Sequence, residues 1–154
     1  MSLYGVHNDE YDSDILNYLR KQETIHCIPS KYMSKQKDID ETARHLLISW
    51  IINVHIKLQF CTDTTFLSIN IIDRFLSRRQ VSKERLQLLG TTAMFIGCKF
   101  EEIEVPTVED FVFLTNQNCN SNFILQVHFY LCYFVQTKFF LFFFSFFSDG
   151  TNYS

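Results

Sequence analysis

The sequence predicts an all-α helical bundle, on three observations. Apolar residues return at spacings of three and four through several separate segments, the period of an amphipathic helix. Only four Gly and two Pro occur in 154 residues, too few for the many tight turns of a sandwich or barrel. No stretch alternates as a strand does, and no internal repeat is evident. The length is one domain's worth, enough for a substantial core, and 47% apolar with 20% charged residues is ordinary for a globular chain.

The first helix is read in "NDEYDSDILNYLRKQE", residues Asn8–Glu23. Asn8 is its N-cap, acids fill the first turn, and Arg20 and Lys21 fill the last, the charge order that a helix dipole favours. Tyr11, Ile15, Tyr18 and Leu19 share one face. A loop containing Pro29 follows. The second helix, Glu41–Gln59, is capped by Asp38 or Asp40. Ala43, Leu46, Leu47, Trp50, Ile51, Val54 and Leu58 recur at helical spacing, and Ile48 and Ile52 widen the stripe, so this helix is expected at the centre of the bundle. The third helix, Asp63–Arg79, takes Thr62 as cap. Its apolar face, Ile69, Ile72, Phe75 and Leu76, has Asp73 inside it. Arg44 lies one turn from Leu47 and also points inward. An isolated buried charge costs several kcal/mol, so these two opposite charges on adjacent inner faces are expected to pair. A general-base role for Asp73 would need a cleft and a second titratable partner, and the sequence offers neither.

Ser82 caps the fourth helix, Lys83–Glu102, which carries Gly90, Ala93 and Gly97 at spacings of three and four. Each helical Gly costs about 1 kcal/mol against Ala, so the spacing implies another helix in close approach. The fifth helix starts after Pro106, where Thr107 and Asp110 match a capping box. A sixth begins near "NSNFILQ".

From Phe123 to Phe147 the text changes character. This stretch holds ten of the seventeen phenylalanines, and Lys138 is the only formally charged residue between Asp110 and Asp149. A membrane span needs about 20 apolar residues, but Gln126, His128, Gln136 and Lys138 interrupt this one, so no membrane anchor is expected. A second reading concerns the gene. Phe codons are T-rich and every Val codon begins with GT, so Gln126-Val127 also fits an exon end read into a T-rich intron. Transcripts spliced directly after the Gln126 codon would support that reading, and a single continuous reading frame would refute it.

The five cysteines are widely spaced, with no C-x-x-C and no zinc pattern, and the N-terminus shows no secretory signal. Reduced thiols and no metal or other cofactor are expected. A net charge of −3 and a pI near 5.9 give no reason to expect nucleic acid, and "SRR" at Ser77–Arg79 reads as a solvated helix end. Gly-rich phosphate loops, G-x-S-x-G and H-E-x-x-H are missing.

Taken together, "ARHLLISW", "INIIDRFLSRRQV", "LQLLGTTAMFIGCKFEEIEVP" and "VEDFVFLT" resemble the N-terminal cyclin box of A/B-type cyclins. "EYDSDILNYLRKQE…YMSKQKDI" looks like the helix that precedes that box. The resemblance runs from about Glu10 to Gln126. It implies a cyclin-box helical bundle of about five box helices after an N-terminal helix and linker at residues 1–39. The box occupies 40–126, its last helix either ending there or running on to 135, and 127–154 is an atypical Phe-rich tail. The same resemblance implies Arg44–Asp73 as a structural ion pair of the box.

Cyclins are not enzymes, and the resemblance implies a regulatory subunit that docks on a cyclin-dependent serine/threonine kinase. Contact with the kinase's mobile helix moves it inward, so that its glutamate meets the ATP-binding lysine. In the family pattern a lysine before "FEE" and a glutamate in the fifth box helix grip the kinase. Lys99 matches the lysine, Phe100 adds apolar contact, and Glu101 and Glu102 form a polar rim. The glutamate position falls on His128, which cannot supply a carboxylate. Tyr11 and Ile15 of the preceding helix are expected to brace the box and touch the kinase. A second family surface, a shallow apolar patch for substrate and inhibitor peptides, matches at Leu47, Trp50 and Gln87. Ala43 stands there in place of the leading Met of the family motif and His45 in place of an Ala, so a shallower patch is expected.

The first function reading is therefore a kinase activator in cell-cycle control, in nucleus and cytoplasm. The alternative is a truncated cyclin-box module that binds a kinase weakly or not at all and activates nothing. A transcription-factor core of the same box fold would need a basic DNA-facing surface, which the pI argues against. The second box that cyclins usually carry does not fit in the remaining residues, and no destruction-box pattern appears before the first.

Overall fold

The computed structural model describes residues 13–14, 16–18, 20–21, 27–116 and 118–135, and the chain divides into two units, Met1–Ser30 and Lys31–Ser154. In the first unit the described residues between 13 and 21 are helical, with Leu16 and Tyr18 exposed. Asn8, Tyr11, Ile15 and Leu19 lie outside the described residues, as does the Phe-rich segment after Val135.

The second unit opens with a 3-10 turn, Tyr32–Lys35, and continues with five helices: α1 Glu41–Leu58, α2 Thr62–Arg78, α3 Lys83–Glu101, α4 Val108–Leu114 and α5 Ser121–Val135. No strand occurs among the described residues. Asp40, not Asp38, caps α1, its carboxylate accepting the Ala43 N–H at 2.8 Å. Gln59 ends the helix in the left-handed region, at φ 54°. At α4 the capping box forms in full, with Thr107 and Asp110 each accepting from the other's backbone N–H.

Two expected caps differ. Thr62 is the first residue of α2 rather than its cap, and Cys61 takes the cap position without a side-chain bond. The orphan donors there are served from another helix: the Glu102 carboxylate accepts the Cys61 N–H at 2.7 Å and the Thr64 hydroxyl. Ser82 stands at the cap of α3, but its side chain makes no capping bond.

The centre of the bundle is α3, not α1. Every α3 residue from Leu89 to Cys98 is buried, whereas α1 buries only Leu47, Ile51 and Val54 and leaves Leu46 and Ile56 each 65% exposed. The small residues decide this. A Cβ at Gly90 would stand 2.6 Å from Leu47 Cδ1, and one at Gly97 would stand 2.6 Å from Ser68 Oγ and 2.9 Å from the Thr64 carbonyl oxygen. Thus α1 closes on one glycine and α2 on the other, an approach that larger side chains would block. The Thr91 and Thr92 hydroxyls, fully buried, donate back to the Gln87 and Leu88 carbonyls at 2.8 Å, so no polar group of α3 is stranded there.

Helix α5 continues nine residues beyond Gln126 and packs amphipathically. Ile124 and Leu131 are fully buried. Phe134 and Tyr130 meet Phe75 of α2 edge-on, at ring separations of 5.1 and 6.0 Å.

Candidate partner-binding site

The last turn of α3 carries "KFEE". Lys99 extends across the face of Phe95, its Nζ 4.2 Å from the ring centroid, an attraction between ammonium and π-cloud. The same Nζ lies 3.4 Å from His128 Nε2 on α5. Lysine has donors only, so Nε2 supplies the lone pair and the imidazole proton sits on Nδ1. Both His128 nitrogens stand 3.8–3.9 Å from Cys132 Sγ, one turn further along α5.

Burial governs the protonation of this cluster. His128 is 9% exposed, and burial, then the Lys99 charge, hold its imidazole down at about 4. The Lys99 ammonium is itself lowered, chiefly by desolvation. Burial pushes the Cys132 thiol up to about 12, so it is a small apolar neighbour rather than a thiolate. No carboxylate among the described residues pairs with Lys99. Glu102 is committed to the start of α2, Glu101 is exposed, and Phe100 is half-buried. The structure thus brings Lys99 and His128 together and turns Glu102 away from them.

At the other end of the bundle Arg44 and Asp73 meet in a two-point ion pair, Nε to Oδ1 at 2.8 Å and Nη2 to Oδ2 at 2.6 Å. A third member was not legible in the sequence: the Tyr32 hydroxyl donates to Oδ1 at 2.5 Å. Burial and then the Asp73 hydrogen bond raise the Tyr32 pKa, and the same carboxylate raises that of Arg44. Gln36 was missed too. Its Nε2 donates to the Leu76 and Arg79 carbonyls at 2.7 and 2.6 Å, and its Oε1 accepts the Val81 N–H at 3.1 Å. Both residues belong to a segment without helical period, and only their being polar or amphipathic beside a helix-rich stretch hinted at such roles.

The residues of the apolar patch are distributed unevenly. Leu47 is buried over Gly90, while Ala43, Trp50 and Gln87 are half-buried. Ala43 also lines an open depression of about 520 Å³ at the start of α1, shared with Met33, Gln36, Lys37, Asp40 and Lys83. Among the described residues no group of three His, Cys, Asp or Glu side chains can hold a metal ion. All five cysteines are free thiols, and no described helix is long and apolar enough to cross a membrane.

A family model described as "Cyclin, N-terminal domain" matches residues 14–136. Cyclin-B2-2 of Oryza sativa subsp. indica is 43% identical over 118 residues, which is 77% of this chain and 28% of that protein. Cyclin-B2-2 of Arabidopsis thaliana is 41% identical and the G2/mitotic-specific cyclin-1 of Medicago sativa subsp. varia 39% identical, with the same coverage. The chain therefore spans 28% of the length of these curated relatives. In fold it is similar to the X-ray structure of a viral cyclin from herpesvirus saimiri, with a TM-score of 0.70 at 20% identity over 79% of this chain and 53% of that one. On a family match that runs across all five helices, the chain belongs to the cyclin N-terminal domain family.

Proposed function

We propose that this chain is a regulatory subunit that binds and activates a cyclin-dependent serine/threonine kinase in cell-cycle control, with no catalytic chemistry of its own. Family membership and B-type and mitotic relatives support that reading. The observation that carries it is Lys99, a half-buried ammonium laid over an aromatic ring beside a neutral imidazole, with no described carboxylate to pair with. Such a cation is poised for an acid from outside, and a desolvated charge pair across an interface supplies specificity. Phe100, Glu101 and His128 surround the contact, and Glu102 acts indirectly by fixing the start of α2. Binding then favours the active position of the kinase's mobile helix. Ala43, Trp50 and Gln87, with Leu47 beneath them, form the proposed patch for substrate or inhibitor peptides.

One observation favours a second reading, a cyclin-box module that binds a kinase weakly and does not activate it. His128 stands where the family resemblance implies a carboxylate, so half of the grip is changed. Packing of α5 on α2 and α3 supports the first reading, because the box closes around Ile124 and Leu131.

Pull-down with candidate kinases and a phosphorylation assay test both, using wild type, Lys99→Glu and His128→Glu. Activation by wild type and loss of binding by about tenfold or more in Lys99→Glu is the expected result, the size expected for breaking a desolvated charge contact. Binding that survives the charge reversal undiminished refutes the interface. Wild type that binds without activating, with activation appearing in His128→Glu, selects the second reading.

A further inference from the structure

Helices α2 and α3 run antiparallel, joined at one end by the short Arg79–Ser82 connection and pinned at the other by Glu102 on Cys61. Their two ends carry opposite charge. Near the pinned end lie Glu101, Glu102, Glu104 and Asp63. At the connection, residues 74–85 hold five cations, Arg74, Arg78, Arg79, Lys83 and Arg85, against one acid, Glu84. The linker adds Lys35, whose carbonyl accepts from Gln80 Nε2 at 3.4 Å while the Gln36 amide bridges Leu76, Arg79 and Val81. The nineteen residues of α3 span about 28 Å, several Debye lengths at physiological salt. One end cannot neutralise the other.

A helix dipole explains only part of this. Arg78 in the last turn of α2 suits it, but Lys83 and Arg85 occupy the first turn of α3, where the dipole disfavours cations. Arg74 lies one turn before Arg78, on the same face, with its Nε buried and without a partner. Burial and the Arg78 charge both lower its proton affinity. None of these five cations has an ion pair among the described residues, and Arg79 lies over the Phe134 ring, 5.5 Å from its centroid.

We propose that this α2–α3 corner is a docking surface for an Asp/Glu-rich segment of a partner protein, whose carboxylates pair with Arg74, Arg78 and Arg79 and reach Lys35 and Lys83. Charge complementarity selects the occupant. The adjoining open depression is lined by Asp38, Asp40 and Glu41 as well as by Lys37 and Lys83. A uniformly charged phosphate backbone or lipid plane would press against those three acids. A peptide sets its acids on the arginines and its neutral residues over the depression.

Fluorescence anisotropy with the full chain tests this, using a labelled peptide of alternating Asp, Glu and Ser, a Gln-for-acid version of it, single-stranded DNA and phosphatidylserine vesicles. The acidic peptide is expected to bind, to weaken steeply between about 50 and 500 mM salt, and to lose about tenfold or more in affinity in Arg78→Glu/Arg79→Glu. Lys35→Glu/Lys83→Glu gives an independent loss should the first pair fail to fold. Lys57→Glu, a charge reversal at an exposed lysine in the last turn of α1, is expected to leave this affinity unchanged, which separates the corner from a general effect of net charge. Equal binding of the neutral peptide, no loss in either folded double variant, or tighter binding of DNA or vesicles than of the acidic peptide overturns the proposal.

Discussion

Asp73 is a carboxylate on the inner face of a helix, and its neighbours explain why it is tolerated there. It accepts two bonds from Arg44 and one from Tyr32, so its desolvation is offset on both oxygens. The side chains remain 28% and 14% exposed for Arg44 and Asp73. Arg44→Ala is therefore expected to cost about 3 kcal/mol, the lower end for breaking a buried pair, and Tyr32→Phe about 1 kcal/mol. Urea midpoints measure both, and a wild-type midpoint for Arg44→Ala refutes the shared burial. His128 supplies a pH dependence with a definite sign. Its folded pKa of about 4 lies below the unfolded value of about 6.5, so between these limits the unfolded chain binds more protons. Stability is then complete above about pH 6.5 and declines as pH falls towards 4, by about 3 kcal/mol from this group. The Cys132 thiol, which faces the ring, is pushed up to about 12 and does not titrate in that window to oppose it. His128→Gln should flatten this part of the profile relative to wild type, and an identical slope in both proteins refutes the assignment.

At the scale of elements, the two α3 glycines allow different trespass. A methyl at Gly90 meets the movable end of Leu47, whereas at Gly97 it meets the Thr64 carbonyl and Ser68, both tied into α2. Gly97→Ala is expected to destabilise by about 2 kcal/mol, even after a helix-propensity gain of about 1 kcal/mol. Gly90→Ala should cost less. Thermal unfolding of the two variants orders them, and the reverse order would mean α2 yields more easily than Leu47. Gln36 ties the linker to the end of α2 through two carbonyls and one N–H. Gln36→Ala should cost about 1–2 kcal/mol and raise hydrogen exchange at Val81, which keeps its protection only if the bond is dispensable. The helices themselves were legible because periodicity and caps are local. Centrality was not: α1 is richly apolar and reads as the middle, but periodicity records side-chain type, not the number of neighbours. The small residues of α3 were the better guide, since they state where backbones must meet.

For the whole molecule, the order of five helices and the Arg44–Asp73 partnership could be read from residues, since both follow from which faces are apolar. Lys99 and His128 were picked out by the resemblance rather than by period or spacing, and their contact, Tyr32, Gln36 and the redirected Glu102 emerge only in the fold. Long-range hydrogen bonds by irregular segments leave no periodic trace. The same gap appears on the surface. Ile52 and Ile56 of α1 are 42% and 65% exposed, and Leu125, Phe129 and Tyr133 form a stripe along α5 at 36%, 58% and 80%. Apolar rows of that kind favour association when nothing covers them. Isolated wild-type chain is expected to bind a hydrophobic dye and to sediment faster as its concentration rises. Phe129→Lys/Tyr133→Glu should reduce both effects without changing helix content, because neither side chain is buried and the core of α5 rests on Ile124 and Leu131. Dye binding and sedimentation identical to wild type in that variant would show that the α5 stripe is not the surface that drives association.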